Sequence, residues 1–357
     1  MKHPLLAPLA SLLDKRGPPY PILGNLPGAA LSWLAVETTR QAKGPVVVVT
    51  GTTARAESLY REMLFFAEHL QPVITLLPFP AWETLPFERL SPYGPIMGER
   101  IRALFRLTQT LGTGPVTAGD TAGHALTTVI TTPVAMMRRT VPHDYLSTHG
   151  FSVSKGDQLN IAALRHFLGS AGYRLATQVE EPGEYAIRGG IVDFFPPGRE
   201  DPVRLELFGD EVETLRLFDP ITQRSTDRIQ SVQALPVSEV ILTEETVREF
   251  RSNFRHACGI GASEDELYKQ VSKGEKSPGM EQFLPYFYTP AETFFDYLPP
   301  TTLFLLDTDA LTEASHFDAE IQERLANLRQ EIPDPYHPAP PRELYLEQTD
   351  FQNQLNR

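Results

Sequence analysis

The sequence predicts an α/β protein, in which a body built on a parallel sheet is interrupted by a smaller inserted α+β domain. Three observations carry this reading. Residues 45–50, PVVVVT, form a continuous apolar run of the kind found in strands buried on both faces. A Gly51-Thr52-Thr53 turn and a helical stretch with Leu59, Met63 and Phe66 on one stripe follow it, giving a strand–turn–helix unit of a wound sheet. Residues 181–219 have a different pattern: short alternating runs separated by Pro/Gly and Gly/Asp turns, which predicts antiparallel hairpins.

The 357 residues are 41% hydrophobic, enough core for two or three domains. A net charge of −13 argues against binding duplex DNA as an isolated unit, because phosphate contacts need a basic face. The single cysteine, Cys258, excludes an intrachain disulfide, fits a reducing compartment and reads as a small core residue. The N-terminal stretch is short and broken by prolines, and no apolar run is long enough to span a bilayer, so the expectation is a cytoplasmic chain without membrane contact.

In chain order, residues 5–15 predict a short helix. An apolar run, a loop with Gly24 and Gly28, and a helical stretch to about residue 43 follow. This is the layout of a phosphate-binding loop, but that chemistry needs Gly-Lys-Ser/Thr, so that a lysine reaches the outer phosphates and a hydroxyl holds magnesium. Here Gly28 is followed by Ala29 and Ala30. An ordinary strand–loop–helix turn predicts the same lack of binding.

Residues 73–77 predict a further strand, and the proline- and aromatic-rich segment 78–95 a packed loop. Residues 97–110 predict a helix with Ile101, Leu104 and Phe105 inward. Val116 and residues 129–131 predict strands, and residues 133–139 a short helix. Residues 144–156 read as polar and irregular. Asn160 is placed to cap a helix over 161–168, and residues 171–179 lead into a strand. After the hairpins, residues 235–242 return to the body, 243–256 form a helix with Thr243 as its cap, and 259–281 read as a mobile connection. The aromatics of 280–298 are core. Residues 302–307, TLFLLD, read as a buried strand ending in an aspartate, where a nucleotide hydrolase would continue Asp-Glu. This chain has Asp307-Thr308-Asp309. A long polar helix covers 310–329, and 333–341 read as a linker. The domain division is 1–127 for the first part of the body, 128–142 for the crossing, 143–235 for the insert, 236–332 for the second part, and 333–357 for a linker or tail.

Within the hairpins three strand-like runs are expected, 184–195, 203–208 and 212–218. Strand side chains alternate, so Leu205 and Leu207 face one side and Arg204 and Glu206 the other. With Ile187 inward, Arg188 joins Arg204 and Glu206 on an outer, charged platform, which suits a protein partner better than a small molecule. No Ser-His-Asp order, spaced histidine pair or cysteine cluster offers hydrolase chemistry.

The stretches EYAIRGGIVDFFPPG and VRLELFGDEVETLRLFD resemble the small inserted domain shared by the excision-repair helicase UvrB and the transcription-repair coupling factors (Mfd). Gly183, Arg188-Gly189, Phe195-Pro196 and Phe208-Gly209-Asp210-Glu211 are the matching points, and Gly279-Met280-Glu281 fits a further element of both families. The resemblance extends along nearly the whole chain, to the N-terminal module of the coupling factors. It implies a degenerate helicase-like body, RecA-like and of P-loop NTPase type, that has lost ATP binding. Gly24, Gly28, Ala29 and Ala30 then stand for a degenerate nucleotide loop, and Asp307 and Asp309 for a degenerate Walker B end. It also implies docking of UvrA through Arg174, Arg188, Arg204 and Glu206, with Phe194 as an apolar anchor. An arginine that UvrB commonly has is replaced here by Ala186. By the same resemblance ATP and magnesium belong to an absent C-terminal translocase, RNA polymerase and DNA are reached through absent domains, and the C-terminal part can mask the docking face. The sequence is then a fragment of a longer protein with no cofactor of its own. The competing expectation is a UvrB-like ATP-dependent DNA helicase, which would need the missing lysine and glutamate.

Overall fold

The computed structural model describes residues 22–24, 26, 28–69, 74–111, 126–331 and 338–356. The expected helix at 5–15 and strand at Val116 lie outside them. The body opens with α1 (Ala30–Gln41), β1 (Val46–Val49), α2 (Thr53–His69), β2 (Ile74–Phe79), α3 (Gly94–Thr110), β3 (Leu126–Thr131) and α4 (Pro133–Met137). The insert follows, with α5 (His143–Thr148), β4 (Phe151–Ser154), α6 (Ile161–Ser170), β5 (Arg174–Leu175), β6 (Glu184–Arg188), β7 (Ile191–Phe194), β8 (Val203–Phe208), β9 (Glu211–Phe218), β10 (Ser225–Arg228) and β11 (Ser231–Ala234). The chain then returns through α7 (Glu244–Cys258), α8 (Glu266–Ser272), α9 (Leu284–Phe287), β12 (Leu303–Leu306), α10 (Ala310–Glu331), α11 (Pro341–Leu344) and α12 (Gln348–Leu355).

Strands β1, β2, β3 and β12 make one parallel sheet in the order β12-β1-β3-β2. All four valines of β1 are fully buried, because helices cover both faces of a parallel sheet and leave its central strand no polar side. Val46 and Val48 pack with Leu59 and Met63 of α2, while Val47 and Val49 face the large aromatic core. That core includes Phe79, Phe250, Phe254, Phe283, Phe287 and Phe294, so the aromatics of 280–298 are structural. The expected strand at 302–307 is an edge strand and only half-buried, since β12 pairs with β1 alone.

The insert is a six-stranded sheet, β10-β9-β8-β7-β6-β5, plus the β11-β4 pair. Leu164 and Leu168 of α6 pack on its inner face beside Tyr185, Val192, Phe194 and Leu205. Asn160 caps α6 as its sequence position predicts, accepting from the Ala163 N–H at 3.0 Å. The insert's entry and exit are pinned to the body by one buried charge. Glu239, just past the insert, accepts from Arg100 of α3 at 2.5 Å and from Thr140, just before the insert, at 2.7 Å. Arg100 and Glu239 are both fully buried. The insert also rests on α3 directly: Arg102 donates to the Gly198 carbonyl at 2.9 Å, and a Cβ on Gly98 would lie 2.7 Å from Pro197.

Several expectations change. The irregular stretch 144–156 contains α5 and β4, held by the buried side chains Leu146 and Val153. The strand expected through residue 179 is the two-residue β5. The single run 184–195 is two strands, because Arg188 pairs with Ile191 across a Gly189-Gly190 turn in which Gly189 has φ +60°. The expected mobile connection 259–281 contains a 3-10 turn at Gly259–Glu264 and α8, whose Leu267 and Val271 are core residues. The expected tail packs as well: over 338–356, Leu344, Tyr345 and Phe351 enter the same core as the body's aromatics.

Candidate protein-docking surface

The outer face of the insert sheet follows from its register. Directly paired residues on neighbouring strands point to the same side. Ala186, Asp193, Arg204 and Arg216 form one row; Arg188, Ile191, Glu206 and Thr214 form the next, toward the Gly189-Gly190 and Gly209-Asp210 hairpin tips. Arg188, Arg204 and Glu206 therefore share one face, as alternation predicts. Arg174 pairs with Glu184 at the sheet's edge.

These rows differ in what covers them. Residues 176–183 and the turn at 219–224 fold over the first row. Val179, Ala186, Phe195 and Phe218 make a small buried cluster there, and Gln223 holds the two segments together by donating to the Val179 carbonyl at 2.9 Å. Arg204 lies under this cover. Its guanidinium makes a bidentate pair with Asp193 (Nε–Oδ1 2.8 Å, the second nitrogen to Oδ2 2.9 Å), donates to the Gln223 carbonyl at 3.2 Å and stands over the Phe218 ring. The hydrogen bonds it donates to Asp193 hold its pKa above the ordinary arginine value. Arg204 is thus committed within the sheet, with only an edge toward solvent.

The second row is open. Arg188 is exposed and donates to the Thr177 carbonyl. Glu206 is half-buried and accepts from Thr214 at 2.5 Å on one oxygen. Arg174 is exposed and pairs with Glu184, whose carboxylate also accepts the Glu180 and Glu181 N–H groups. Arg174, Thr177, Glu180, Glu181 and Glu184 line a cleft of about 450 Å³ beside this row. Phe194 does not serve as an anchor. It sits between Tyr185 and Val203 on the inner face and is fully buried, since the 188–191 turn fixes the parity of β7 and sends Phe194 inward. Sequence reasoning missed Asp193, the partner that holds Arg204; its place in an alternating run, opposite Arg204, was the available signal.

At the carboxyl end of the parallel sheet the picture is one of filled space. A Cβ on Gly51 would lie 2.8 Å from Asp309, so β12's loop abuts the turn after β1. Arg55, in the first turn of α2, reaches Asp307 at 3.7 Å. The residues around Gly24 are irregular rather than a strand, with Ile22 out in solvent, and Gly28 turns with φ +52° into Ala29, which precedes α1, and Ala30, which begins it. The apolar run there is therefore not a core strand among the described residues. Likewise, no three His, Cys, Asp or Glu side chains among the described residues gather to hold a metal ion. Cys258 is half-buried, and burial pushes its thiol up to about 11, which leaves it protonated and unreactive at neutral pH.

Comparison with known proteins falls on the same part of the chain. Residues 151–239 match the family described as the UvrB interaction domain. The chain is 35% identical over 337 residues to the transcription-repair-coupling factor of Escherichia coli (strain K12), covering 94% of the chain and 27% of that protein. It is 35% identical over 340 residues to the factor of Haemophilus influenzae and 26% identical over 303 residues to that of Bacillus subtilis, covering 28% and 24% of those proteins. The chain thus spans about a quarter of the length of these relatives. Residues 151–239 are thus similar to the UvrB interaction domain, and the chain as a whole is similar, along nearly its entire length, to about a quarter of the transcription-repair coupling factors.

Proposed function

We propose that this chain is the non-catalytic N-terminal module of a transcription-repair coupling factor, and that its insert docks the excision-repair protein UvrA. The observation that carries the reading is the open row of the insert sheet, Arg188, Ile191, Glu206 and Thr214, lying within the segment that matches the UvrB interaction domain. An exposed arginine in a chain of net charge −13 is suited to a carboxylate on a partner, because its planar fork makes two parallel hydrogen bonds. Arg174 extends the same edge. Arg204 acts indirectly, by fixing Asp193 and the cover over the first row.

The body is a helicase-like, RecA-type fold that has lost its nucleotide chemistry. The absence of lysine after Gly28 and of glutamate after Asp307, with Asp309 set against Gly51, supports this. ATP, magnesium, DNA and RNA polymerase are then the business of regions outside this chain, which also supply a surface able to mask the docking face. The module acts in the cytoplasm; among the described residues no helix is long and apolar enough to cross a membrane.

Calorimetric titration of UvrA into the chain tests the reading. Arg188→Ala should weaken binding about tenfold or more, as for an arginine at the centre of an interface, with the circular dichroism spectrum unchanged. Unchanged affinity in the Arg174→Ala/Arg188→Ala double variant would reject the site.

A further inference from the structure

Away from the insert, two buried arginines gather at the loop that follows β2. Trp82 in that loop is buried, and both guanidinium groups lie close to its ring. The central carbon of Arg138, just after α4, is 3.4 Å from the ring centre, and that of Arg100, on α3, is 5.9 Å away. Arg138 is 4% exposed and Arg100 fully buried. Arg100 gives Nε to Glu239 and one terminal nitrogen to the Pro80 carbonyl at 2.8 Å. Arg138 gives its two terminal nitrogens to the Tyr345 hydroxyl at 3.1 Å and to Gln282 at 2.7 Å. Three buried donors are left over. The Trp82 Nε1, the second terminal nitrogen of Arg100 and the Arg138 Nε meet no acceptor among the described residues. The charges do not balance either. Glu239 is the carboxylate bonded to this cluster, while Glu281, next to Gln282, is turned to Ser91 and Ser238.

We propose that this cluster binds a small monovalent anion of chloride size, which accepts from the Trp82 indole and the two guanidinium groups and balances the second buried arginine. Three arguments define the ligand. The leftover groups are all N–H donors; an anion brings only acceptor capacity, whereas a water brings two hydrogens that need acceptors of their own. Two arginines against one carboxylate leave a buried positive charge, which is costly unless paired. Stacking on the indole face softens the Arg138 charge without neutralising it. Finally, the burial of all three side chains keeps a partner's carboxylate out and admits only a small ion. The ion has a structural consequence. Arg138 also holds Tyr345, and beside it the Leu346 N–H donates to the Met137 carbonyl at 2.7 Å, so an ion on Arg138 and Trp82 ties both the 80–93 loop and the 338–356 segment to the body.

The test uses the 357-residue chain and two probes, bromide and chloride, at constant ionic strength with gluconate as the balancing anion. The chain has two tryptophans, so Trp33→Phe leaves Trp82 as the reporter. Bromide should quench its fluorescence along a saturating curve, and chloride should reverse the quenching by competition. The urea midpoint should rise with chloride and level off. Trp82→Phe, which removes one donor and keeps both arginines, should raise the chloride concentration at half effect about tenfold. Crystals grown in bromide should show an anomalous peak within hydrogen-bond reach of Arg138 Nε. Quenching that stays linear in bromide, or that chloride does not relieve, would overturn the site. So would a urea midpoint that responds equally to chloride and gluconate, or a half-effect concentration unchanged in Trp82→Phe. Water alone in the density, or a bromide peak without any saturable response in solution, would do the same.

Discussion

Removing Asp193 should unseat Arg204 and destabilise the insert. The pair is bidentate at 2.8 and 2.9 Å, with side-chain exposures of 17% for Arg204 and 5% for Asp193. Breaking a buried pair by deleting one partner costs roughly 3–5 kcal/mol, because the remaining charge is left in a poorly solvated place. Arg204 keeps the Gln223 carbonyl and some contact with water, so the lower end, ~3 kcal/mol, is expected for Asp193→Ala. Arg204→Ala should cost less, ~2 kcal/mol, since the carboxylate left behind has a nearer route to solvent once the guanidinium is gone. Replacing both by apolar residues, Asp193→Leu with Arg204→Met, should restore much of the loss. Urea denaturation of the parent, the two alanine variants and the Asp193→Ala/Arg204→Ala double variant closes a double-mutant cycle, and its coupling should be about 2 kcal/mol. A coupling under about 0.5 kcal/mol would show that the pair does no structural work, and that Arg204 is free to serve a partner after all.

Three further outcomes follow from other contacts. Glu281 is buried, accepts from Ser91 at 2.8 Å, and has its carboxyl held above the usual range chiefly by burial. A carboxyl whose folded-state pKa is raised contributes stability at low pH that fades as pH climbs through the folded value. Glu281→Gln should therefore remove the fall of the urea midpoint as pH rises above the ordinary carboxylate range and match or exceed the parent at neutral pH; equal destabilisation at acid and neutral pH would contradict this. Gly98→Ala would drive its Cβ against Pro197, part of a turn that cannot yield easily, and should cost about 1–3 kcal/mol in unfolding free energy, with a change of no more than a few tenths pointing to slack between α3 and the insert. Titration of magnesium–ATP should give no heat of binding at concentrations that saturate an intact P-loop protein, and saturable micromolar binding would overturn the reading of the Gly28 region.

What was legible in the sequence was periodicity. Four consecutive valines announced a central parallel strand, and β8 showed its two faces through Arg204-Leu205-Glu206-Leu207. The caps at Asn160 and Thr243 were equally readable, because a side-chain oxygen before an apolar period has one favourable use. Turn chemistry was read less well. The sequence reads 184–195 as one run, but the two-residue turn at Gly189-Gly190 resets which side of the sheet each residue takes and sends Phe194 inward. Tertiary context decided the rest. Segment 259–281 looks charged and glycine-bearing and 338–356 polar and proline-led, yet Leu267, Val271, Leu344 and Phe351 find places in a core built by distant strands and helices. Nor could any local pattern show that residues 176–183 and 219–224 would fold over the row that carries Arg204 while leaving Phe208 bare.

Amide hydrogen exchange of the chain with and without saturating UvrA addresses the central claim most directly. Exchange should slow at 186–191 and 206–214, and at the edge around Arg174, while the parallel-sheet body is unaffected. Protection confined to the body, or no protection anywhere in the insert at saturation, would contradict the account.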